Sequence, residues 1–294
     1  MTKEEWKERI EQGPVLLDGA TGSNLMAAGM PRGVCTESWI LDHKEVLMEL
    51  QRAYQKAGSQ IVYAPTFAAN RIGLAAHGLE RRVEEYNERL VKISKDAVGG
   101  KALVAGDLTT TGKRIGENGT ITYEELLDVY KEQITCLANA GVDLLVAETM
   151  ISIDETMAAL DAAHEVCDLP MMCSLTVSAD GTAFFGGNAI EAVESLQAMG
   201  ADAVGLNCSV GPDQLEAVVR NMKQVAEVPI LVKPNAGMPL IDETGTAIYT
   251  MREEAFADAM ERLIAEGAWI VGGCCGTTPA YIRALAQRIQ KRAK

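Results

Sequence analysis

Eight short apolar runs recur along the chain, at Val15 to Ala20, Ile61 to Phe67, Leu103 to Leu108, Leu144 to Thr149, Met171 to Val177, Ala203 to Cys208, Ile230 to Asn235 and Trp269 to Cys275. They are rich in Val, Ile and Leu and do not alternate cleanly with polar residues, the pattern of parallel strands buried on both faces. Between them lie stretches of helical period. In the first, Val46, Leu47, Leu50, Ala53, Tyr54 and Ala57 share one face, and Gly58 supplies the stop. Glycine stands in the same place before the fourth, sixth and eighth runs, as Gly141, Gly200 and Gly267. Proline precedes the first, fifth and seventh, at Pro14, Pro170 and Pro229.

Eight β-helix units with no linker or low-complexity break predict an α/β fold: a single-domain (β/α)8 TIM barrel spanning residues 1–294. Residues 1–14 form an N-terminal helical extension in which Thr2 and Glu5 have the spacing of a capping box. A doubly wound open sheet is the competing architecture. The connections favour the barrel and locate its working end. Long irregular segments follow strands, at Thr109 to Ile121, Ser178 to Gly187 and Ala236 to Thr250, whereas helix-to-strand connections are only a few residues. Barrel chemistry is carried by the loops at the C-terminal strand ends, so this asymmetry points there.

Composition narrows the partners. The 294 residues are 48% hydrophobic, enough for one large core. Twenty-seven Lys and Arg against 41 Asp and Glu leave a formal charge of −14, which argues against nucleic-acid backbones and anionic membranes as partners. No apolar run approaches the roughly 18 residues of a membrane span, and the charged N-terminus does not read as a signal peptide, so a cytoplasmic location is expected. Seven cysteines in a reducing compartment then suggest metal binding or catalysis before disulfides.

The last residues of the runs are Asp18, Thr66, Asp107, Glu148, Thr176, Cys208, Asn235 and the pair Cys274/Cys275. In a closed barrel these ends converge on one mouth. Polar residues can simply mark where strands reach solvent, but three cysteines call for more. Thiolates suit zinc, and three protein ligands with one open position describe a catalytic zinc site. Adjacent cysteines cannot face one metal from an ideal strand, because successive side chains point to opposite faces, so the backbone must bend where Gly272, Gly273 and Gly276 bracket the pair. Buried structural thiols and a redox-active vicinal pair are the competing readings. Cys136, Cys167 and Cys173 suit buried thiols, while Cys35 sits in the first loop. His43, His77 and His164 lie in or beside helical stretches, which argues for an all-thiolate centre.

The segments DGATGSN (18–24), APTFAANR (64–71), ET (148–149), GLNCSVGP (205–212), KPNAGMP (233–239) and GGCCGTTP (272–279) resemble, in order and over nearly the whole chain, the zinc-dependent homocysteine S-methyltransferases. Within that family the likeness is greatest to the homocysteine-binding module of cobalamin-dependent methionine synthase. The resemblance implies Zn2+ on Cys208, Cys274 and Cys275, with Asn235 matching a fourth ligand that substrate displaces. It implies Asp18 and Glu148 as holders of the substrate ammonium, backbone donors around Gly19 for its carboxylate, and Thr66 in the pocket wall. The cobalamin signature DxHxxG is absent, and the chain ends after its eighth helix. The expected activity is therefore methylation of the homocysteine thiolate to methionine, with no cobalamin-binding module in this chain and a methyl-corrinoid on a separate protein as donor. A homocysteine methyltransferase using S-methylmethionine or a betaine-type donor is the first alternative. A non-catalytic zinc–thiolate protein is another, and an enzyme acting on a different thiol or selenol a third.

Overall fold

The computed structural model describes residues 1–116, 119–243 and 247–292. Eight parallel strands form one sheet: β1 (Val15–Leu16), β2 (Ile61–Tyr63), β3 (Leu103–Leu108), β4 (Leu144–Met150), β5 (Met171–Leu175), β6 (Ala203–Cys208), β7 (Ile230–Pro234) and β10 (Ala268–Val271). Each of the eight falls on one of the eight apolar runs. Between β7 and β10 a small antiparallel pair, β8 (Leu240–Ile241) with β9 (Ala247–Ile248), stands in the long loop. The irregular segments expected at 109 to 121 and 236 to 250 each contain a stretch, 117–118 and 244–246, outside the described residues.

The strand order β1-β10-β7-β6-β5-β4-β3-β2 wraps the sheet into a nearly closed barrel, which excludes the open doubly wound alternative. Between β1 and β2 the seam is joined by other bonds. The Gln60 N–H donates to the Leu16 carbonyl at 2.7 Å, the Leu16 N–H to the Gln60 side-chain oxygen at 2.9 Å, and the Ser59 hydroxyl to the Leu17 carbonyl at 3.1 Å.

The helices are α1 (Lys3–Glu11), α2 (Gly22–Ala27), α3 (Thr36–Asp42), α4 (Lys44–Ala57), α5 (Arg71–Ala75), α6 (Val83–Val98), α7 (Tyr123–Asn139), α8 (Ile153–Val166), α9 (Ala189–Ala198), α10 (Glu216–Val225), α11 (Glu253–Glu266) and α12 (Pro279–Arg292). Helix α4 buries Leu47, Tyr54 and Ala57 from the expected face and ends on Gly58 at φ +117°, a conformation that costs glycine little. The same face repeats around the ring, so the larger apolar core lies between helices and strands. No helix among the described residues is long and apolar enough to cross a membrane.

A second core fills the barrel. Val15, Leu17, Ile61, Ala105, Leu144, Val146, Met172, Ala203, Leu231 and Ile270 point inward, and Trp6 from α1 joins them, almost completely buried. Helix α1 forms because Thr2 and Glu5 close a reciprocal capping box, with the Thr2 oxygen accepting from the Glu5 N–H and the Glu5 carboxylate from the Thr2 N–H. It lies across the N-terminal end of the barrel, where the Trp6 indole N–H donates to the Asp202 carbonyl at 3.3 Å. The floor is thereby plugged, and the strand C-terminal ends are left as the place for a site.

Candidate metal centre and adjoining cavity

At the C-terminal end the sulfurs of Cys208, Cys274 and Cys275 lie within 4.8 Å of one another, with Cys208 and Cys275 at 4.0 Å. Two local bends bring them together. Cys208 ends β6 with φ +61°, and Ser209 repeats that left-handed conformation, turning the chain sharply across the mouth. Beyond β10 the chain enters a tight turn in which the Thr277 N–H donates to the Cys274 carbonyl at 3.1 Å. This turn lets neighbouring cysteines face one point, which a continued strand would forbid. Gly276 completes it at φ +82°, and a Cβ there would also strike the Tyr249 ring.

Four tetrahedral zinc–sulfur bonds of about 2.3 Å place sulfurs about 3.8 Å apart, so the spacing seen here suits that ion. The donor set is soft, and no disulfide links it. Bonds from Cys208 and then Cys274 pull Cys275 down to about 3, whereas donation to Cys274 and Cys275 pushes Cys208 far up. The pull of Cys208 on Cys274 is outweighed by Cys275 and burial, which leave Cys274 at about 11. One of the three thiols therefore favours the thiolate form that a soft cation needs. The side-chain oxygen of Asn235 is buried and has no hydrogen-bond partner, as an uncommitted further ligand would be.

Beside the thiols lies a cavity of about 520 Å3, lined among others by Tyr63, Asp107, Glu148, Lys233, Tyr249 and the three cysteines. Its wall is a buried charge network. Lys233, near the end of β7, sits 3.5 Å from Asp18 and 3.8 Å from Glu148, with its ammonium 4.7 Å from the centre of the Tyr63 ring. The other Asp18 oxygen accepts the Tyr63 N–H at 2.9 Å. Burial pushes Glu148 up to about 7, against the pull of Lys233. Burial, reinforced by Glu148, pushes Asp107 well above the ordinary carboxylate range. Burial disfavours the Lys233 ammonium, but Glu148, Asp18 and Cys274 outweigh that effect and hold it charged.

Asn207 ties this network to the metal side. Its side-chain oxygen accepts from the Thr149 N–H at 2.7 Å and the Ser174 hydroxyl at 2.9 Å. Its amide donates to the Thr149 hydroxyl at 2.7 Å and reaches Glu148 at 3.4 Å and the Cys274 sulfur at 4.0 Å. Thr149 is held at φ +58°, where a β-branched residue needs such support.

Of the strand-end residues singled out in the sequence, Asp107, Glu148, Cys208, Cys274 and Cys275 line the cavity. Asp18 lies behind Lys233. Gly19 packs so closely on Tyr54 and Thr277 that a Cβ would fall 2.6 Å from the Tyr54 hydroxyl, which explains the glycine. The neighbouring Ala20 N–H donates to the Thr277 hydroxyl, while Thr21, Gly22 and Ser23 reach the cavity. The Thr66 hydroxyl donates to the Asp107 carbonyl at 2.9 Å and accepts from its N–H at 3.1 Å, fixing the strand that carries Asp107. Lys233, Asn207, Tyr63 and Tyr249 were not among the residues singled out. Lys233 and Asn207 were nevertheless visible as polar residues inside apolar runs.

The exposed large apolar side chains among the described residues also gather at this end. Phe184 and Phe185 follow β5, and Met238, Leu240, Ile241 and Ile248 follow β7. Met26 and Val34 follow β1.

The methionine synthase of Mycobacterium tuberculosis (strain ATCC 25618 / H37Rv) is 30% identical over 298 residues, covering 95% of this chain and 25% of that protein. The Mycobacterium leprae (strain TN) methionine synthase is 28% identical over 308 residues, with 97% and 25% covered. The chain thus spans about a quarter of the length of these relatives. Among solved structures, the metallated form of the homocysteine methyltransferase MmuM from Escherichia coli superposes with a TM-score of 0.80 at 25% identity, over 94% of this chain and 96% of that one. The family model described as homocysteine S-methyltransferase matches residues 15–289, and the chain belongs to that family.

Proposed function

We propose that the protein is a zinc-dependent methyltransferase that methylates the thiolate of homocysteine to give methionine. The observation that carries this reading is the placement of three convergent thiols and a buried carboxylate network on one cavity. Storage of zinc would need the thiols alone.

Cys208, Cys274 and Cys275 would hold the ion, with Asn235 as a displaceable fourth ligand. When bound, zinc supplies the Lewis acidity that keeps an acceptor sulfur in its nucleophilic thiolate form at neutral pH. The residues of the chain supply position. Glu148 on the cavity wall and Asp18, behind Lys233, would supply negative charge toward the acceptor's amino-acid end, and the turn after Gly19 would face its carboxylate. Asn207 keeps Glu148 and Cys274 in fixed relation. In the transfer a sulfur–carbon bond forms as the donor's bond to its methyl group breaks. The electron pair of that bond stays with the donor, and the thiol proton has already left. Fixing the sulfur in line with the methyl group is what the pocket contributes, and orientation of this kind can be worth several kcal/mol.

The donor we propose is a methyl-corrinoid carried by a separate protein. The apolar side chains clustered on the mouth support a protein-sized donor, since apolar patches of this kind commonly mark docking surfaces. The relatedness to methionine synthases is consistent with it. A small sulfonium or betaine donor is the second reading, favoured by the modest cavity of about 520 Å3.

Cobalt-substituted protein titrated with homocysteine tests the acceptor half. A thiolate-to-metal charge-transfer band that grows on addition supports the reading, and an unchanged spectrum despite bound metal would leave zinc storage. Single-turnover assays with methylcobalamin and with S-methylmethionine test the donor. Methyl transfer from S-methylmethionine alone would defeat the corrinoid assignment.

A further inference from the structure

Lys233 belongs to the pocket yet has no role in holding a metal or a thiol. Its side chain is 4% exposed and places an ammonium between Asp18 and Glu148, over the face of Tyr63. Two carboxylates and an aromatic face are what a site for a substrate ammonium would offer. Here a group of the protein already stands in it.

The carboxylates are also supplied with other partners. Asp18 accepts the Tyr63 N–H at 2.9 Å as well as pairing with Lys233. Glu148 has the Asn207 amide at 3.4 Å besides Lys233. Buried carboxylates normally require a cation or donors. These have both before any acceptor arrives. An acceptor ammonium therefore meets a pair that is part-neutralised, with a like charge beside it.

We propose that Lys233 is a specificity-determining residue, a built-in stand-in for the acceptor's ammonium, and that the pocket consequently takes thiols lacking an α-amino group, ω-mercaptoalkanoates such as 4-mercaptobutanoate, on a par with homocysteine. The proposal rests on the thiol-acceptor reading above. The chemistry balances in the same way: sulfur gains the methyl group, the thiol proton is released and the donor keeps the electron pair. The acceptor's amino group takes no part in the bonds made or broken, so its absence bears on binding alone.

The test is a binding measurement that needs no donor. Cobalt-substituted protein is titrated with homocysteine and with 4-mercaptobutanoate, following the charge-transfer band, for the wild type and for Lys233→Met with its metal content verified. The wild type should bind the two thiols within about threefold of each other, because the pocket supplies the cation itself. In Lys233→Met the carboxylates regain their need for a cation, so homocysteine should tighten and 4-mercaptobutanoate weaken, opening a preference of about 30-fold or more. A wild-type preference for homocysteine of about a hundredfold would overturn the proposal and leave the acceptor reading standing. Equal effects of Lys233→Met on both thiols would overturn it too, reducing Lys233 to a structural ion pair. No response to either thiol would overturn both readings. The wild-type ratio decides without any variant, so poor folding of Lys233→Met does not shelter the proposal.

Discussion

The carboxylate of Asp18 accepts the backbone N–H of Tyr63 at 2.9 Å, across the one junction of the barrel that has no strand ladder. A residue of the pocket is thus also a fastening of the fold. Asp18→Ala removes the acceptor and takes one carboxylate from the buried Lys233, and is expected to cost about 3 kcal/mol. Asp18→Asn keeps an oxygen for Tyr63 and should lose clearly less. Denaturant midpoints of the two variants check the difference, and equal losses would mean that the seam bond contributes nothing.

Metal retention should divide the candidate ligands into two classes. Cys208→Ala and Cys275→Ala are expected to lower bound zinc from about one per chain to about a tenth or less after dialysis. Asn235→Ala should keep its zinc, because three thiolates remain, while altering the visible spectrum of the cobalt form. Elemental analysis and absorption spectra measure both effects, and full zinc retention in both cysteine variants would remove the metal centre from the account.

Asn207 is expected to matter to both stability and acceptor binding. Asn207→Ala releases Thr149 from its left-handed conformation and strands the Ser174 hydroxyl, a loss of about 2 kcal/mol. It also frees Glu148, so homocysteine affinity should fall several-fold more than the affinity for zinc. Thermal melts and the cobalt titration report the two effects independently. An affinity change confined to zinc would mean that Asn207 serves the metal alone.

The buried carboxyl pair gives the metal-free protein a defined pH response. Glu148 is raised from 4.5 to about 7, chiefly by burial, so the folded state holds this proton more tightly than the unfolded chain. Its stabilising contribution is complete below about pH 4.5 and is lost as the pH rises through about 7, by roughly 3 kcal/mol at most. Asp107 is raised as well, by burial and then by the neighbouring Glu148, so the response belongs to the pair. Glu148→Gln cannot ionise and should show a smaller fall in stability between about pH 5 and about pH 8 than the wild type. Parallel pH profiles would locate the response elsewhere.

The barrel was legible because burial on both faces writes strands as unbroken apolar runs, and because glycines mark where helices such as α4 stop. The three cysteines were legible for a different reason: strand ends converge whatever their distance in sequence. What escaped was direction. Val232 and Lys233 are neighbours in one run, yet Val232 packs in the core between strands and helices while Lys233 turns into the pocket. A lysine among Val and Pro gives no warning that it will find two carboxylates from other strands. Tyr249 escaped because its loop has no period to read. Asn207 stands in the segment GLNCSVGP beside a more conspicuous cysteine, and nothing there shows that its amide joins Glu148 to Cys274. The small helices α2, α3 and α5 were also unmarked, being too short for a helical stripe to stand out.

The packed barrel interior, capped by Trp6, makes the site a well, not a tunnel. Whatever reaches the cysteines must come and go through one opening, so the last to arrive is the first that can depart. A donor large enough to rest on Phe184, Phe185 and the β8–β9 rim would shut the acceptor in for the length of the encounter. The thiol must then be seated beforehand, and the methylated product must wait for the donor to lift away. Sequence of binding, under those conditions, is imposed by the filled interior beneath the pocket, which takes no part in the chemistry.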